Sequence, residues 1–447
     1  EPGDVFFALP GLNTHGIEHI EEALRRGALA VVTDRDPVGD PGVPVIKVTD
    51  VRAAYARAAS RVFDPQPEVI VAVTGTNGKT SVASFTRQIW EYAGIPAGSI
   101  GTLGVETRRG LREGSLTTPD SRTLHQNLRA LKAQGINHVA LEASSHGLEQ
   151  RRLDGCYFEA VAFTNLNRDH LDYHGDMDAY RNAKLRLFTD LLVDSGPAVV
   201  NVDDPEHEPF MFAALSRGST LLTVGREGAY IEILSIEPEG YGQRVTVRHV
   251  GEKLSFRLPL TGEFQVSNAL IAAALAMSTG VDKKDAFPAL EQLKGAKGRL
   301  ELVGEHNGAA VFVDYSHKPA ALEHALTSLR PYAKGKLRVV FGAGGDRDKG
   351  KRPMMGEVAA RLADDVIVTD DNPRTEDAKS IRGEILAAAN GAREIGDRRT
   401  AIETAVRELK RGDVLLIAGK GHEDYQIIGT AKHHFSDHEV VAEAIGG

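Results

Sequence analysis

The stretch Val69-Ile70-Val71-Ala72-Val73-Thr74-Gly75-Thr76-Asn77-Gly78-Lys79-Thr80-Ser81 carries the signature around which the rest of the chain is organised. Five consecutive aliphatic residues predict a fully buried strand, and the glycines behind them let the backbone turn sharply with its N–H groups converging on one spot. A phosphate suits that spot. Thr80 to Tyr92 reads as a helix, so an anion there also meets the positive end of a helix dipole, and Lys79 adds a full charge. The Thr80 hydroxyl follows the lysine directly, the place that serves Mg²⁺ in nucleotide-binding loops. The spacing departs from G-x-x-x-x-G-K-[ST], because Val73 stands where the first glycine belongs and Gly75 takes over closer to the lysine. On this stretch alone, a glycine-rich strand-to-helix turn with a solvated lysine stays open as the alternative.

A chain of 447 residues exceeds one ordinary core, so two or three domains are expected. Its 42% hydrophobic and 26% charged residues are those of a soluble globular protein. A net charge of -9 argues against a general nucleic-acid binder, which needs a basic face, while a few local cations still suffice for one anionic nucleotide. Cys156 is the single cysteine, which excludes an internal disulfide and a cysteine-based metal cluster, and it reads as small apolar filler. The longest strongly apolar run, Ala269 to Met277, is too short to insert into a membrane. No signal peptide is visible, and a cytoplasmic location is expected. The chain opens on Glu1-Pro2-Gly3-Asp4 without Met, so part of the natural N-terminus is expected to precede it.

Residues 1 to 67 alternate short strands (Val5 to Leu9, Ala30 to Thr33, Val45 to Val48) with helices (Ile17 to Arg26, Val51 to Phe63), and Asp64-Pro65-Gln66-Pro67 reads as a linker. Residues 68 to 297 form a larger α/β domain with further buried strands at His138 to Leu141, Ala160 to Thr164, Ala198 to Val202 and Thr220 to Val224. That alternation predicts a mostly parallel sheet with ligands at the carboxyl ends of its strands. Tyr230 to Leu260 reads as an antiparallel appendage, followed by helices Val266 to Ser278 and Lys284 to Leu293. Residues 298 to 447 repeat the α/β rhythm, with strands Ala309 to Val313, Arg338 to Gly342, Asp365 to Thr369 and Val414 to Ala418. Their helices are Pro319 to Leu329, Met354 to Leu362, Ser380 to Ala389 and Ala401 to Leu409. Three consecutive α/β domains result.

Several polar clusters fall at predicted strand ends. Glu142-Ala143-Ser144-Ser145-His146 is placed to bring a magnesium-binding carboxylate opposite the phosphate loop, although Glu142 alone reads equally as a capping or solvated carboxylate. Thr164-Asn165-Leu166-Asn167-Arg168-Asp169-His170 gathers ionisable groups in one loop opening. Lys184 lies in a helical stretch, where a solvated lysine is the plain reading. Asn268 sits in a turn before a helix and reads as an ordinary cap. Gly298-Arg299 falls at a module boundary, and Asp314-Tyr315-Ser316-His317-Lys318-Pro319 leaves a strand into a helix. In the last module, Gly342 to Gly350 and Asp370-Asp371-Asn372-Pro373-Arg374 describe a zwitterion pocket. Arg347 and Arg374 offer planar forks for carboxylates, and Asp371 with Asn372 suits an ammonium group. Both arginines being solvated or paired with neighbouring aspartates is the alternative. Ala418-Gly419-Lys420-Gly421-His422-Glu423-Asp424-Tyr425 closes the set at another strand end.

In order along the chain, Thr74 to Thr80, Glu142 to Gly147, Asn165 with Asp169-His170, Lys184, Asn268, Gly298-Arg299 and Asp314 resemble the motif series of the Mur ligases. Within that family, Ser144 to Leu148, Gly345 to Gly350 and Asp371 to Arg374 resemble the members that add meso-diaminopimelate as the third residue of the cell-wall peptide. The resemblance covers nearly the whole chain. It implies a UDP-sugar-binding domain over 1 to 67, truncated at its start, an ATP-binding domain over 68 to 297 and a Rossmann-like amino-acid domain over 298 to 447.

The resemblance also implies roles. Gly75, Thr76, Asn77, Gly78, Lys79, Thr80 and Ser81 cradle ATP, and Asn268, Arg299 and Asp314 contact the nucleotide. Thr80 and Glu142 serve one Mg²⁺ and His170 a second, with Lys184 carbamylated so that it presents hard anionic oxygens to metal. Lys79, Lys184, His170 and Glu142 form the catalytic set. Thr117, Thr118, Ser144, Gln150 and Arg152, with Asn13 and Thr14 near the uridine, hold the UDP-N-acetylmuramoyl dipeptide. Arg347, Asp371, Asn372, Pro373, Arg374, Gly419 and Glu423 hold diaminopimelate. Asn167 and Ala143 differ from the residues commoner in the family. The implied protein is a cytoplasmic monomer that transfers the γ-phosphoryl group of ATP to a carboxylate and passes the acyl group to an amine, closure of its last domain completing the site. A folylpolyglutamate synthase, a lysine-adding Mur ligase and a nucleotide-gated binding protein are the rivals.

Overall fold

The computed structural model describes residues 2–11, 14–114 and 116–446. It divides into two compact units, one of residues 1–231 with 270–286, the other of residues 232–269 with 287–447.

The first unit begins with strands β1 (Val5–Phe7), β2 (Ala30–Thr33) and β3 (Val45–Lys47), paired in parallel as a small sheet. The phosphate-loop strand is β4 (Val69–Thr74). After it come β5 (Ala97–Gly101), β6 (Gly104–Thr107), β7 (Gly110–Arg112), β8 (His138–Glu142), β9 (Ala160–Phe163), β10 (Ala198–Asn201) and β11 (Leu221–Gly225). In space they run β11-β10-β9-β4-β8-β5-β6-β7. Strand β4 is central, parallel to β8 on one side and β9 on the other, which is why it needs an unbroken aliphatic run with no solvent face. The parallel pairing brings the ends of β4, β8 and β9 to one edge of the sheet, so Gly75, Glu142 and Thr164 open onto a common side. Asp50, Asp120 and Asp176 cap three helices of this unit; Asp120 accepts the Thr123 N–H at 3.1 Å.

In the second unit, β12 (Ile231–Glu239), β13 (Gly242–His249) and β14 (Glu252–Leu258) are neighbouring strands, the last two antiparallel. Then follow β15 (Glu301–His306), β16 (Ala309–Asp314), β17 (Leu337–Phe341), β18 (Asp365–Val368), β19 (Arg393–Glu394) and β20 (Val414–Ala418) in a six-stranded sheet ordered β15-β16-β20-β17-β18-β19. All its pairings are parallel except that of edge strand β15 with β16. The loops after β16, β17, β18 and β20 therefore emerge at one edge, where this topology binds ligands. A hairpin of β21 (Tyr425–Ile428) and β22 (Ala431–His434) follows, its turn led by Gly429 at φ +60°, as a type II′ turn requires at its first central position.

The buried strands fall where expected, and so does the antiparallel appendage. The differences have local causes. The helix expected over Ile17 to Arg26 splits into a 3₁₀ turn, Gly16–His19, and a helix, Ile20–Arg25, because the His15 ring accepts the Ile17 N–H and tightens the first turn. Helix Lys351–Leu362 starts three residues before the expected Met354, since Pro353 in its first turn needs no N–H partner. Strands β6, β7, β15, β19 and the β21–β22 hairpin were not expected, being short or edge elements with weak alternation, and neither was the interior strand β5, whose Ala-Gly-Ser-Ile-Gly sequence lacks an aliphatic run.

Arg398 and Asp437 form an ion pair with both side chains fully buried, at 2.7 and 2.8 Å, and Arg398 also donates to the Ala418 carbonyl at 3.0 Å. This ties the start of the last helix, Asp437–Gly446, to the end of β20. Removing one partner strands a buried charge. Arg398→Met is expected to cost about 3–5 kcal/mol, while Arg398→Met combined with Asp437→Leu recovers most of that loss, as read from urea unfolding midpoints.

Candidate active site

The loop after β4 is shaped by two glycines. Gly75 has φ +150°, and a Cβ there would lie 1.9 Å from Thr164 Oγ1, so only glycine admits the loop leaving β9. Gly78, at φ +85°, precedes helix Lys79–Tyr92. Loop and neighbour are laced together: Thr76 N–H donates to the Asn165 carbonyl at 2.8 Å, Asn77 N–H to Asn165 Oδ1 at 2.9 Å, and Thr164 Oγ1 to the Asn77 carbonyl at 2.6 Å.

Lys79 Nζ donates to the carbonyls of Gly75 and Thr76, each at 2.8 Å. Lys184 Nζ reaches the same Gly75 carbonyl at 2.8 Å. Two lysine amines thus share one acceptor. Lys184 is 1% exposed, and its amine lies 4.5 Å from the centre of the Tyr180 ring. Burial, reinforced by the charge of Lys79, pushes its pKa well below that of a free lysine against a small opposing pull from Asp169.

Glu142, 2% exposed, ends β8 opposite this loop. It accepts from Thr80 Oγ1 at 3.0 Å, Thr102 N–H at 2.7 Å and Thr102 Oγ1 at 3.2 Å. Gly101 makes the space, since a Cβ there would fall 1.9 Å from Glu142 Oε1. A buried carboxylate oxygen beside a hydroxyl is a hard donor pair of the kind Mg²⁺ prefers, so Thr80 and Glu142 fit that ion. Among the described residues, no three carboxylate, histidine or cysteine side chains converge as a metal site.

Next to Lys184 is a group of rings. His146 lies 4.8 Å from His170, 4.2 Å from Tyr173 and 5.4 Å from His174 between ring centres. His174 is fixed by Ser145 Oγ at 3.0 Å on Nε2 and by Glu149 at 3.0 Å on Nδ1, so the carboxylate selects the Nδ1–H tautomer. Burial lowers the pKa of both His146 and His174. From Tyr173 a polar chain runs outward: its hydroxyl accepts from Gln150 at 2.9 Å, Gln150 Oε1 accepts Arg152 at 2.7 Å, and Arg152 donates to the Thr118 carbonyl at 2.7 Å. Thr118 Oγ1 donates to the Glu142 carbonyl at 2.7 Å and accepts from Ser144 Oγ at 3.0 Å, while Thr117 meets Thr102 at 3.0 Å.

In the second unit, Asp314 ends β16 and accepts the Leu300 N–H at 2.7 Å and the Ser316 hydroxyl. Burial raises its pKa, against the pull of Ser316 and Arg299. The Arg299 guanidinium lies 5.0 Å from the Tyr315 ring centre. Asn268 Nδ2 donates to Gln265 at 3.2 Å, and Gln265 donates to the Arg299 carbonyl at 3.3 Å.

Asp371, Asn372, Glu423 and Arg374 form a second group. Asn372 Nδ2 donates to Glu423 at 3.0 Å, and its Oδ1 accepts Lys420 Nζ at 2.9 Å. Burial works to raise the Asp371 pKa, but Lys420 and Arg398 outweigh it and hold the carboxyl low; Glu423 is pushed up by burial and by Asp371. Gly419 stands against Asp371, a Cβ there meeting Oδ2 at 2.7 Å. Arg374, at φ +51°, is tethered to the hairpin by N–H to the Ile427 carbonyl at 3.1 Å and by Gly429 N–H to its own carbonyl at 2.7 Å. Its Nη1 donates to the Gly345 carbonyl at 2.7 Å.

Residues 73–276 match the Mur ligase middle domain, and residues 298–421 the glutamate ligase domain of the Mur ligases. A protein of Mesorhizobium japonicum, 55% identical over 447 residues that cover 100% of this chain and 92% of that one, bears the name UDP-N-acetylmuramoyl-L-alanyl-D-glutamate--2,6-diaminopimelate ligase. The chain belongs to the Mur ligase family. A solved structure with the same name as that relative is 34% identical to this Mur ligase at TM-score 0.75, covering 100% of this chain and 92% of that one. A MurF ligase of Thermotoga maritima in complex with ADP, 18% identical at TM-score 0.63 with 100% and 94% coverage, shares the fold.

In this Mur ligase the expected residues of the first unit lie together, namely Gly75 to Ser81, Glu142, His170, Lys184, Thr117, Thr118, Ser144, Gln150 and Arg152. Asn268, Arg299 and Asp314 form a group of the second unit, as do Asp371, Asn372, Pro373, Arg374, Gly419 and Glu423. Arg347, in the loop after β17, is exposed. Thr14 is exposed at a tight turn, and Asn13 lies outside the described residues. Two plain readings are corrected. Lys184 is buried rather than solvated, and Asn268 lies inside helix Glu263–Ser278, 4% exposed, rather than capping it. Thr102, Tyr180 and Lys420 were missed as site residues; only Lys420 carried a signal, its place in the glycine-rich polar loop after β20.

Because the folded pKa of Lys184 is below the value of about 10.4 in an unfolded chain, the unfolded state binds more protons between the two, and stability rises with pH there. Lys184→Met removes that dependence. In CO₂-free buffer the variant is expected to gain most over the parent near about pH 7, with the gain shrinking towards about pH 10 in urea unfolding. A constant gap would mean an ordinary lysine.

Proposed function

We propose that this Mur ligase joins meso-diaminopimelate to UDP-N-acetylmuramoyl-L-alanyl-D-glutamate at the expense of ATP, forming ADP and phosphate in peptidoglycan precursor synthesis. The observation that carries this reading is near-full-length identity of 55% to a relative named for that reaction, joined to a phosphate loop with a lysine and a carboxylate in place.

The γ-phosphoryl group of ATP passes to the free carboxylate of the D-glutamate, and the acyl phosphate is then attacked by the amine. The protein supplies alignment and charge neutralisation. Loop N–H groups, Lys79 and the amino end of helix Lys79–Tyr92 receive the phosphates, and Asn268, Arg299 and Asp314 contact the rest of the nucleotide. Thr80, Glu142, His170 and a carbamylated Lys184 would hold two Mg²⁺ ions, which supply positive charge to the transferring group. The uncharged amine is the form that reacts with CO₂, and burial favours that form at Lys184, which supports this role. Thr117, Thr118, Ser144, Gln150 and Arg152 hold the dipeptide, with Asn13 and Thr14 at the uridine. Asp371, Asn372, Pro373, Gly419 and Glu423 take the amino acid, Arg374 and Arg347 its carboxylates. We assign residues 1–67, 68–297 and 298–447 to UDP-sugar, ATP and amino-acid domains of a cytoplasmic monomer. No helix of the described residues is long and apolar enough to cross a membrane.

Phosphate release measured with each substrate omitted in turn is expected to require ATP, the dipeptide nucleotide and diaminopimelate together. Turnover with a folate substrate, or none with any combination, would reject the reading. Lysine lacks the second carboxylate and would leave Arg374 unpaired. Arg374→Ala should raise the KM for diaminopimelate about tenfold or more while the KM for ATP changes little; unchanged amino-acid kinetics would remove Arg374 from the pocket.

A further inference from the structure

Lys420 is a fully buried lysine that none of the roles above employs. A lysine in a loop is ordinarily solvated, and burying its ammonium is costly unless the partners are well placed. Here they are. Nζ donates to Asn372 Oδ1 at 2.9 Å and to the Tyr425 carbonyl at 2.7 Å, and stands 4.0 Å from Glu423 Oε2. One side chain thus joins the loop after β18, the loop after β20 and the first residue of the hairpin.

The hydrogen-bond arithmetic at Asn372 gives this contact its meaning. Its Oδ1 accepts both Lys420 and the Ile427 N–H, the latter at 3.0 Å. Two donors at one end allow a single orientation of the amide, with Nδ2 towards Glu423. Turned over, the amide would set N–H against an ammonium and a backbone N–H, leaving the buried ammonium without one of its two hydrogen-bond acceptors. We propose that Lys420 is a positioning residue for the amino-acid substrate, fixing Asn372 and through it the carboxylate of Glu423 that receives the substrate's ammonium group. This rests on the ligase reading above.

Charge supports the geometry. Glu423 is faced by Asp371 and Arg374 from the loop after β18, by Lys420 from its own loop, by Arg398 from helix Arg398–Arg407, by Tyr425 from the hairpin and by Tyr315 from the loop after β16. Lys420 offsets the repulsion between Asp371 and Glu423, so its loss favours the protonated, non-binding form of Glu423.

The test is steady-state kinetics of Lys420→Met, with Lys420→Gln as a second variant that keeps a donor of shorter reach. The expected result is a KM for diaminopimelate raised tenfold or more, a KM for ATP within about twofold of the parent, and an acid limb of kcat/KM for the amino acid moved about one unit to higher pH. The pH limb separates positioning from a general loss of structure. Both KM values rising together, an unmoved acid limb, or amino-acid kinetics like the parent's in either folded variant would overturn the proposal. A parent enzyme with no diaminopimelate-dependent turnover would instead overturn the ligase reading and this inference with it.

Discussion

Two lysine amines drawn to one carbonyl oxygen, that of Gly75, are the constraint on which the first unit depends. Lys79 arrives from the helix that follows the loop and Lys184 from helix Met177–Arg186, so both elements must converge on a single backbone atom. Convergence is possible because β4 is the central strand and because Gly75 carries no side chain to fend off Thr164. Burial then disfavours the charged form of the more deeply buried amine, Lys184, and the nearby charge of Lys79 adds to the effect. Fold and chemistry are one statement here: the strand order places the lysines, and the charge of Lys79 bears on Lys184.

The second unit follows a different logic. Its loops are held by buried cations that each bridge separate pieces of chain. Arg398 joins the last helix to β20, Lys420 joins two loops and a hairpin, and Arg352, fully buried, donates to Glu376, Glu384 and the Gly344 carbonyl. The bond from Arg352 holds the Glu376 carboxyl down at about 2, with help from the Asp346 N–H. Such groups contribute little net stability compared with apolar packing, but they allow few alternative arrangements of the loops they touch. A pocket that must tell one amino acid from another gains from that.

How far the sequence could be read depended on the kind of signal. Buried parallel strands announce themselves as aliphatic runs, so β4, β10 and β20 were legible, as was the phosphate loop. Edge strands such as β15 and the hairpin β21–β22 were not, because their exposed residues follow no strong period. Among site residues, Glu142 and His170 were marked by their place at strand ends. The burial of Lys184 was hidden, since helix Met177–Arg186 is mostly polar and nothing local says which face turns inward. Thr102 and Tyr180 act through contacts 40 and 104 residues away in the chain, and distance of that kind leaves no local pattern. Lys420 stood in plain view in its loop, but its role depends on the amide orientation of a residue 48 positions earlier.

Arg374 holds a left-handed backbone conformation that a non-glycine residue seldom adopts unaided, and two backbone bonds, to the Ile427 carbonyl and from the Gly429 N–H, keep it there. The backbone of Arg374 is therefore clamped by the first arm of the hairpin and its turn. Adding or deleting one residue at Gly429 would disturb that clamp without changing a single atom of the arginine. For a pocket that uses Arg374, the length of a small ribbon thus becomes part of the fit.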